Sequence, residues 1–263
     1  MLCVFDCESV PDVELLREIY NYSGSDIEVC NKALGVDDNV GYSTFLPLPF
    51  HKIISISCLI CDDFGRFIKI GNYALDSKDE KKILSEFLKY LNNKNPKLIS
   101  FNGRSFDLPL IMLRAMKYNL NASAYFEQDN IKFNKNKWDN YRTRYSENFH
   151  IDLLDSLGSF GMAKNMKLDV LCKMLKIPGK FDVSGDDVFR LYYEEKYHII
   201  DEYCQSDVLN TYWLFLKYQL LQGKICIDEY MELLNIFLDK IPKDKNYSNV
   251  FIASLKESLE RLN

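Results

Sequence analysis

The sequence predicts an α/β fold, a mixed sheet flanked by helices with a helical C-terminal extension, and three observations carry that expectation. Short apolar runs with strand spacing cluster in the part of the chain up to Phe101. Two of them flank a Gly-containing turn, Asp62-Asp63-Phe64-Gly65, as the strands of a hairpin do. Beyond Phe101, apolar residues recur mostly at helical spacing.

Leu2–Phe5 is the first strand, running directly into Asp6 and Glu8. Pro11–Tyr22 and Asp26–Leu34 read as helices, so residues 11–45 form a helical insertion, closed by the Pro-rich turn Leu46–Phe50. Ile53–Cys61 and Phe67–Tyr73 make the hairpin, and Lys78–Leu91 is an amphipathic helix with Asp76 or Ser77 as its cap. Lys97–Phe101 is a buried strand backed by the helix Leu108–Tyr118. Phe149–Leu153 is a short strand entering a helix. Leu168–Leu175 and Ser184–Tyr193 are helices separated by the breaker run Ile177–Lys180, and Ile199–Leu220 is one long helix. Residues 226–263 read as two helices split by Ile241–Lys245, with apolar faces through Tyr230, Leu233 and Phe237 and through Phe251, Leu255 and Leu259. A domain over 1–222 with an extension over 223–263 packed on it is therefore expected, and the extension is also open to a partner-binding role.

With 47% hydrophobic residues over 263 positions the chain can bury a sizeable core, which excludes a disordered segment. No apolar run reaches membrane-span length and no basic region precedes an apolar one at the N-terminus, so a soluble, cytoplasmic protein is expected. The eight cysteines are scattered, mostly in apolar segments; the Cys58-Leu59-Ile60-Cys61 spacing sits on a strand pattern and reads as core in a reducing compartment. His51, His150 and His198 have no zinc spacing. A net charge of −5 fits poorly with phosphate binding, which is mostly electrostatic, so a nucleic-acid partner would need a local basic patch. Residues 132–145 interleave Lys132, Lys135, Lys137, Arg142 and Arg144 with Phe133, Trp138, Tyr141 and Tyr145. That composition suits a single strand, and equally a loop whose aromatics tuck into the domain.

Asp6 and Glu8 lie one residue apart on a strand, so both project from one face, where two acids repel unless a cation sits between them. Such a pair alone is a weak signal. Two further acids stand in fitting contexts: Asp107, after the turn Asn102-Gly103-Arg104-Ser105-Phe106, and Asp207, four residues after Tyr203 on the long helix. The spacing of Tyr203 and Asp207 points both the same way. Asp152 and Asp155 sit where a strand turns into a helix, so capping accounts for one of them, and Asp152 is the best further candidate for a supporting acid.

Taken in order, Phe5-Asp6-Cys7-Glu8, Asn102-Gly103-Arg104-Ser105-Phe106-Asp107-Leu108-Pro109 and Tyr203-Cys204-Gln205-Ser206-Asp207 resemble the three exonuclease motifs of the DEDD (DnaQ-like) 3′-5′ exonucleases. The leading tyrosine of the third motif is that of the tyrosine-type branch, which includes proofreading domains of family-B DNA polymerases. Leu46–Ser57 and Tyr203–Leu216 are similar to the polymerase-B-like predicted 3′-5′ exonucleases, and the likeness covers about residues 1–222.

The resemblance implies a ribonuclease-H-like domain that releases nucleoside 5′-monophosphates from single-stranded 3′ ends, of DNA in the first instance. It also implies two divalent ions, Mg²⁺ or Mn²⁺, held by Asp6, Glu8, Asp107 and Asp207. Asp6 would bridge both ions, Glu8 and Asp207 would serve mainly the water-activating one, and Asp107 would act in the second ion's shell, directly or through water. Tyr203, with an ordinary pKa of roughly 10, is a poor base and would orient the nucleophile. Ser9, Asn102, Arg104 and Phe106 complete the set as substrate-binding candidates. Structural alternatives stand beside three of them: a turn cap for Asn102, a surface arginine for Arg104 and core packing for Phe106. RNA or short oligonucleotides as substrate, a non-cutting nucleic-acid module, and a component of a DNA polymerase or repair complex remain alternatives.

Overall fold

A computed structural model describes residues 1–35, 45–75, 78–163, 166–179 and 188–262. The strands are β1 (Leu2–Pro11), β2 (His51–Cys61), β3 (Phe67–Asn72), β4 (Lys97–Ser100) and β5 (His150–Asp152), in the sheet order β3-β2-β1-β4-β5. β1 pairs antiparallel with β2 and parallel with β4, so the sheet is mixed, as expected of a ribonuclease-H-like α/β domain.

The alternation of β1 explains both layers of the core. Leu2 and Val4 face one side, where they join Leu59, Ile99 and Ile151 under α9 (Tyr197–Leu221), α10 (Ile227–Lys240) and α11 (Ser248–Leu262). Cys3, Phe5 and Cys7 face the other side, against α3 (Glu80–Lys94) and α4 (Asp107–Lys117). The C-terminal helices thus share a core with the sheet, their contact with α9 including a hydrogen bond from the Trp213 indole to the Tyr230 hydroxyl at 2.9 Å. The cysteines are free, and all but Cys226 are buried, in line with their expected role as core residues.

Several boundaries differ from expectation for local reasons. β1 continues through Asp6 and Glu8 to Pro11, whose missing N–H suits a strand end as well as a first helical turn. α1 (Val13–Tyr20) therefore starts later and takes Asp12 as its cap. α2 (Asp26–Leu34) has a full capping box between Ser25 and Glu28. α3 is capped by Asp79; the expected caps Asp76 and Ser77 lie outside the described residues. A short helix, α5 (Ser123–Phe126), follows α4, and α6 (Leu153–Leu157) follows β5. α7 (Leu168–Met174) and α8 (Val188–Tyr193) precede α9, and residues 184–187 of the expected helix lie outside the described residues. No helix among the described residues is long and apolar enough to cross a membrane.

The basic-aromatic stretch is partly structural. The Lys135 side chain is buried, its ammonium donating to the Ala124 carbonyl at 2.6 Å, and the fully buried Tyr141 donates to the Pro96 carbonyl at 2.6 Å. Both anchors lie beside the start of β4, away from the end that leads to Asp107. Trp138 and Tyr145 remain exposed.

Candidate active site

The site forms where β1 runs on past the end of β4. Asp6 and Glu8 continue the face of Leu2 and Val4, toward α9, and pair across the strand with Ser57 and Ser55. A β-bulge between Glu8 and Ser9 shifts the register there, a device that re-aims side chains at strand ends. Asp107 arrives from the second motif. Asn102 takes the left-handed conformation at φ 71°, and a Cβ at Gly103 would collide with Ser100 and crowd Phe5, so the tight Asn-Gly turn needs these residue types.

That turn is held from below by Asp152. Its carboxylate accepts the backbone N–H groups of Asn102 at 2.9 Å, Arg104 at 2.8 Å and Leu154 at 3.0 Å. Asp152 therefore serves as the cap of α6 and the floor of the second motif. Asn102 stands at the head of this turn, its backbone carbonyl accepting from the N–H groups of Ser105 and Phe106 at 3.1 Å. Arg104 departs from the expected exposed phosphate contact: its side chain is largely buried, pairs with Asp155 at 3.3 Å and reaches the carbonyls of His150 and Tyr141.

Asp107 is buried, and its carboxylate accepts the backbone N–H of Cys7 at 3.1 Å. Cys7 is the residue between Asp6 and Glu8, so the second-motif acid is pinned to the strand that carries the first motif. Burial raises the Asp107 carboxyl to about 6 against the opposing effect of the bonds from Cys7.

The third motif enters on α9. Tyr203 and Asp207 are both buried and stand on one face of the helix. Burial, then the negative charges of Glu8, Asp207 and Asp6, push the Tyr203 phenol far above its ordinary range. The tyrosine therefore stays neutral beside these acids. Cys204 joins the site without any signal in the sequence. Its sulfur and one carboxylate oxygen from each of Asp6 and Glu8 lie within 4.8 Å of one another, and the thiol lies 3.5 Å from the Asp6 carbonyl. A lone helical cysteine reads as core from sequence; only its placement over β1 reveals it. Burial and the two carboxylates keep this thiol protonated, a poor ligand for a hard cation.

Ser9 lies beyond the bulge. His51 meets the Leu46 carbonyl through Nε2 at 3.0 Å and Ser9 Oγ through Nδ1 at 3.0 Å. A carbonyl only accepts, so Nε2 carries the proton of the neutral ring, which burial favours, and Nδ1 accepts from Ser9. Ser9 is left presenting lone pairs. Beside it, Phe106 packs edge-on to His51 and to Phe45, with ring centroids 5.3 and 5.5 Å apart. Phe45, mostly exposed, is a second addition, since nothing near it in sequence marks it as part of the site.

The model for predicted 3′-5′ exonucleases related to the exonuclease domain of PolB matches residues 43–255. The chain belongs to this family. Curated relatives of the chain include the DNA polymerase of Archaeoglobus fulgidus, 25% identical over 136 residues, which is 51% of this chain and 17% of that one. The catalytic subunit of DNA polymerase epsilon from Kluyveromyces lactis is 30% identical over 155 residues, 56% of this chain and 7% of the relative. The DNA polymerase of Autographa californica nuclear polyhedrosis virus is 25% identical over 239 residues, 83% of this chain and 23% of the relative. The chain thus spans less than a quarter of each of these relatives. Among solved structures, the family B DNA polymerase of Pyrobaculum calidifontis aligns with a TM-score of 0.48 and 14% identity over 90% of this chain and 29% of its own.

Proposed function

We propose that this exonuclease-family chain hydrolyses the 3′-terminal phosphodiester bonds of single-stranded DNA, releasing nucleoside 5′-monophosphates, with Asp6, Glu8, Asp107 and Asp207 holding two divalent ions. The observation that supports the reading is the bond from Cys7 to Asp107, which ties the second-motif acid to the strand of the first motif, while Tyr203 and Asp207 lie buried on one face of α9. The donor set fits Mg²⁺ or Mn²⁺: hard carboxylate oxygens, with those of Asp6 and Glu8 within 4.8 Å of one another. Bound there, the ions would supply a lowered water pKa and neutralise charge on the attacking and leaving oxygens.

The protein groups do the rest. Tyr203, kept neutral, orients the attacking water through its hydroxyl and does not remove its proton. Ser9, its hydroxyl donating to His51, accepts from a hydroxyl of the terminal sugar. Phe106 and Phe45 offer apolar faces to the terminal bases. Tyr203→Phe is expected to lower kcat by roughly 10- to 100-fold, less than the roughly 10²–10⁴ of a group that transfers the proton itself, with KM nearly unchanged. Single-turnover kinetics measures this, and a loss confined to KM would contradict the assignment.

Asp107 also gives a pH dependence. Its folded pKa of about 6 lies above its ordinary value of about 3.9, so it binds its proton more tightly folded than unfolded. Its contribution to the metal-free protein is thus most favourable below about pH 4 and is lost as pH rises through about 6. In EDTA, Asp107→Asn is expected to be more stable than wild type at pH 7.5, with the advantage shrinking toward pH 5. Thermal melts at the two pH values read it, and an equal gain at both would refute the shift.

The direct test is a 5′-labelled single-stranded DNA oligonucleotide incubated with Mg²⁺ or Mn²⁺, beside EDTA and an RNA of the same sequence. A ladder shortening from the 3′ end and abolished by EDTA supports the proposal, and faster loss of the RNA would reassign the substrate. No cleavage of either strand by the folded, metal-supplied protein would overturn it.

A further inference from the structure

Residues of α9 two apart point about 200° away from each other, so Asp201 and Gln205 occupy the flank opposite Tyr203 and Asp207. That opposite flank is tied by buried and part-buried hydrogen bonds to β2, which pairs with the acid-bearing β1, and to β3 behind it. Asn72, on β3, donates to Ser57 Oγ at 2.6 Å and Ser55 Oγ at 2.9 Å, the two serines paired across the sheet with Asp6 and Glu8. Gln205 donates its amide to the Asn72 side-chain oxygen, and Asp201 accepts from Ser55 at 2.7 Å. The end of this chain of bonds lies outside the sheet and outside the motifs. Tyr247, fully buried in the turn between α10 and α11, donates to Gln205 Oε1 at 2.6 Å, and the backbone N–H of its neighbour Asn246 donates to Glu202 at 2.9 Å.

From this juxtaposition we propose that the C-terminal helical pair is part of the catalytic scaffold: Tyr247, acting through Gln205 and Asn72, is a positioning residue that fixes the roll of α9. It thereby sets how far Tyr203 and Asp207 stand from Asp6 and Glu8. The idea rests on the proposed function for the identity of the acids, but the hydrogen-bond chain exists without it. A helix lying on a sheet through apolar contacts can rotate at little cost, because hydrophobic burial is non-directional; directional bonds on one flank remove that freedom. Because the flanks are opposed, a roll that stretched the Gln205 side would move the acid-bearing side by a similar distance.

The test compares two conservative variants of the full chain. Tyr247→Phe removes the hydroxyl and keeps the ring in the core. Tyr230→Phe removes a comparable buried bond between the C-terminal helices and α9, at Trp213, ten residues beyond Tyr203 and away from the acids. Melting temperature, Mn²⁺ binding followed by the EPR signal of free Mn²⁺, and kcat on single-stranded DNA are measured for each. Both variants are expected to lose a similar few degrees in melting temperature. Only Tyr247→Phe is expected to weaken Mn²⁺ binding, by about 3- to 10-fold, and to lower kcat by about 10-fold. Equal Mn²⁺ affinity in the two variants would overturn the proposal, as would wild-type protein that binds no Mn²⁺. If wild type binds Mn²⁺ and cleaves nothing, the exonuclease reading fails while a selective Mn²⁺ loss in Tyr247→Phe still upholds the positioning role.

Discussion

Asp6→Asn is expected to lower degradation of a 5′-labelled single strand by at least about 10³-fold while leaving the fold intact or more stable. Asp6 is the acid that shares the closest group of possible ligand atoms, with Glu8 and Cys204, and its charge also bears on Tyr203 and Cys7. Removing one member of a preorganised electrostatic set costs about 10²–10³ in rate even where the rest remains, and a residue proposed to serve both ions should exceed that. Stability should move the other way. The metal-free site holds several carboxylates close together, so neutralising one relieves repulsion, and the amide keeps the volume. The sharpest signature is a melt in which Mn²⁺ raises the wild-type transition and leaves that of Asp6→Asn unmoved. A variant retaining a tenth of wild-type activity would remove Asp6 from the centre of the mechanism.

The parts of this site legible in the sequence are those set by local periodicity. The two-residue period of β1 puts Asp6 and Glu8 on one face, and the four-residue spacing on α9 does the same for Tyr203 and Asp207. The Gly-containing turn at Asn102-Gly103 is also legible, and in the structure Asn102 takes the left-handed conformation there. What the sequence does not disclose depends on how segments meet. The bulge at Glu8/Ser9, the placement of Cys204 over β1, and the Phe45–His51–Phe106 cluster each join residues distant in the chain. Composition is equally silent on residues 132–145. Lys135 and Trp138 are three apart in one basic-aromatic run, yet one side chain is buried in the domain and the other faces solvent, because only Lys135 meets the acceptors Ala124 and Glu127.

Arg114→Met shows how far such unreadable pairings reach, and it is expected to be the most destabilising single change considered, at about 3–5 kcal/mol. Arg114, nearly inaccessible, forks onto Glu80 at 2.7 and 2.6 Å and reaches Asp12 at 2.7 Å, partners 34 and 102 residues away. Burial disfavours the ionised form of Asp12, but the bonds from Arg114 and Lys117 hold its carboxyl below the usual range. Methionine would fill the space of the arginine stem, leave the buried Glu80 carboxylate without its cation, and leave Asp12 with only the half-exposed Lys117. Exposure separates this from an ordinary surface pair: Lys117 also reaches Asp12, at 3.1 Å, but its side chain is 45% exposed, so Lys117→Ala should cost less than about 1 kcal/mol. The cluster also bears on the site. Glu80 accepts the backbone N–H of Ile53 at 2.7 Å, and Ile53 is the partner of Ser9 immediately after the bulge. Arg114→Met should therefore lose activity at temperatures below its own unfolding transition, as the β2 end that sets Ser9 and His51 loosens. Urea denaturation measures the stability loss, and adding Glu80→Gln to Arg114→Met should recover part of it by removing one stranded charge. A loss under about 1 kcal/mol for Arg114→Met, or no recovery in the double variant, would show that the three buried charges are not coupled as their geometry requires.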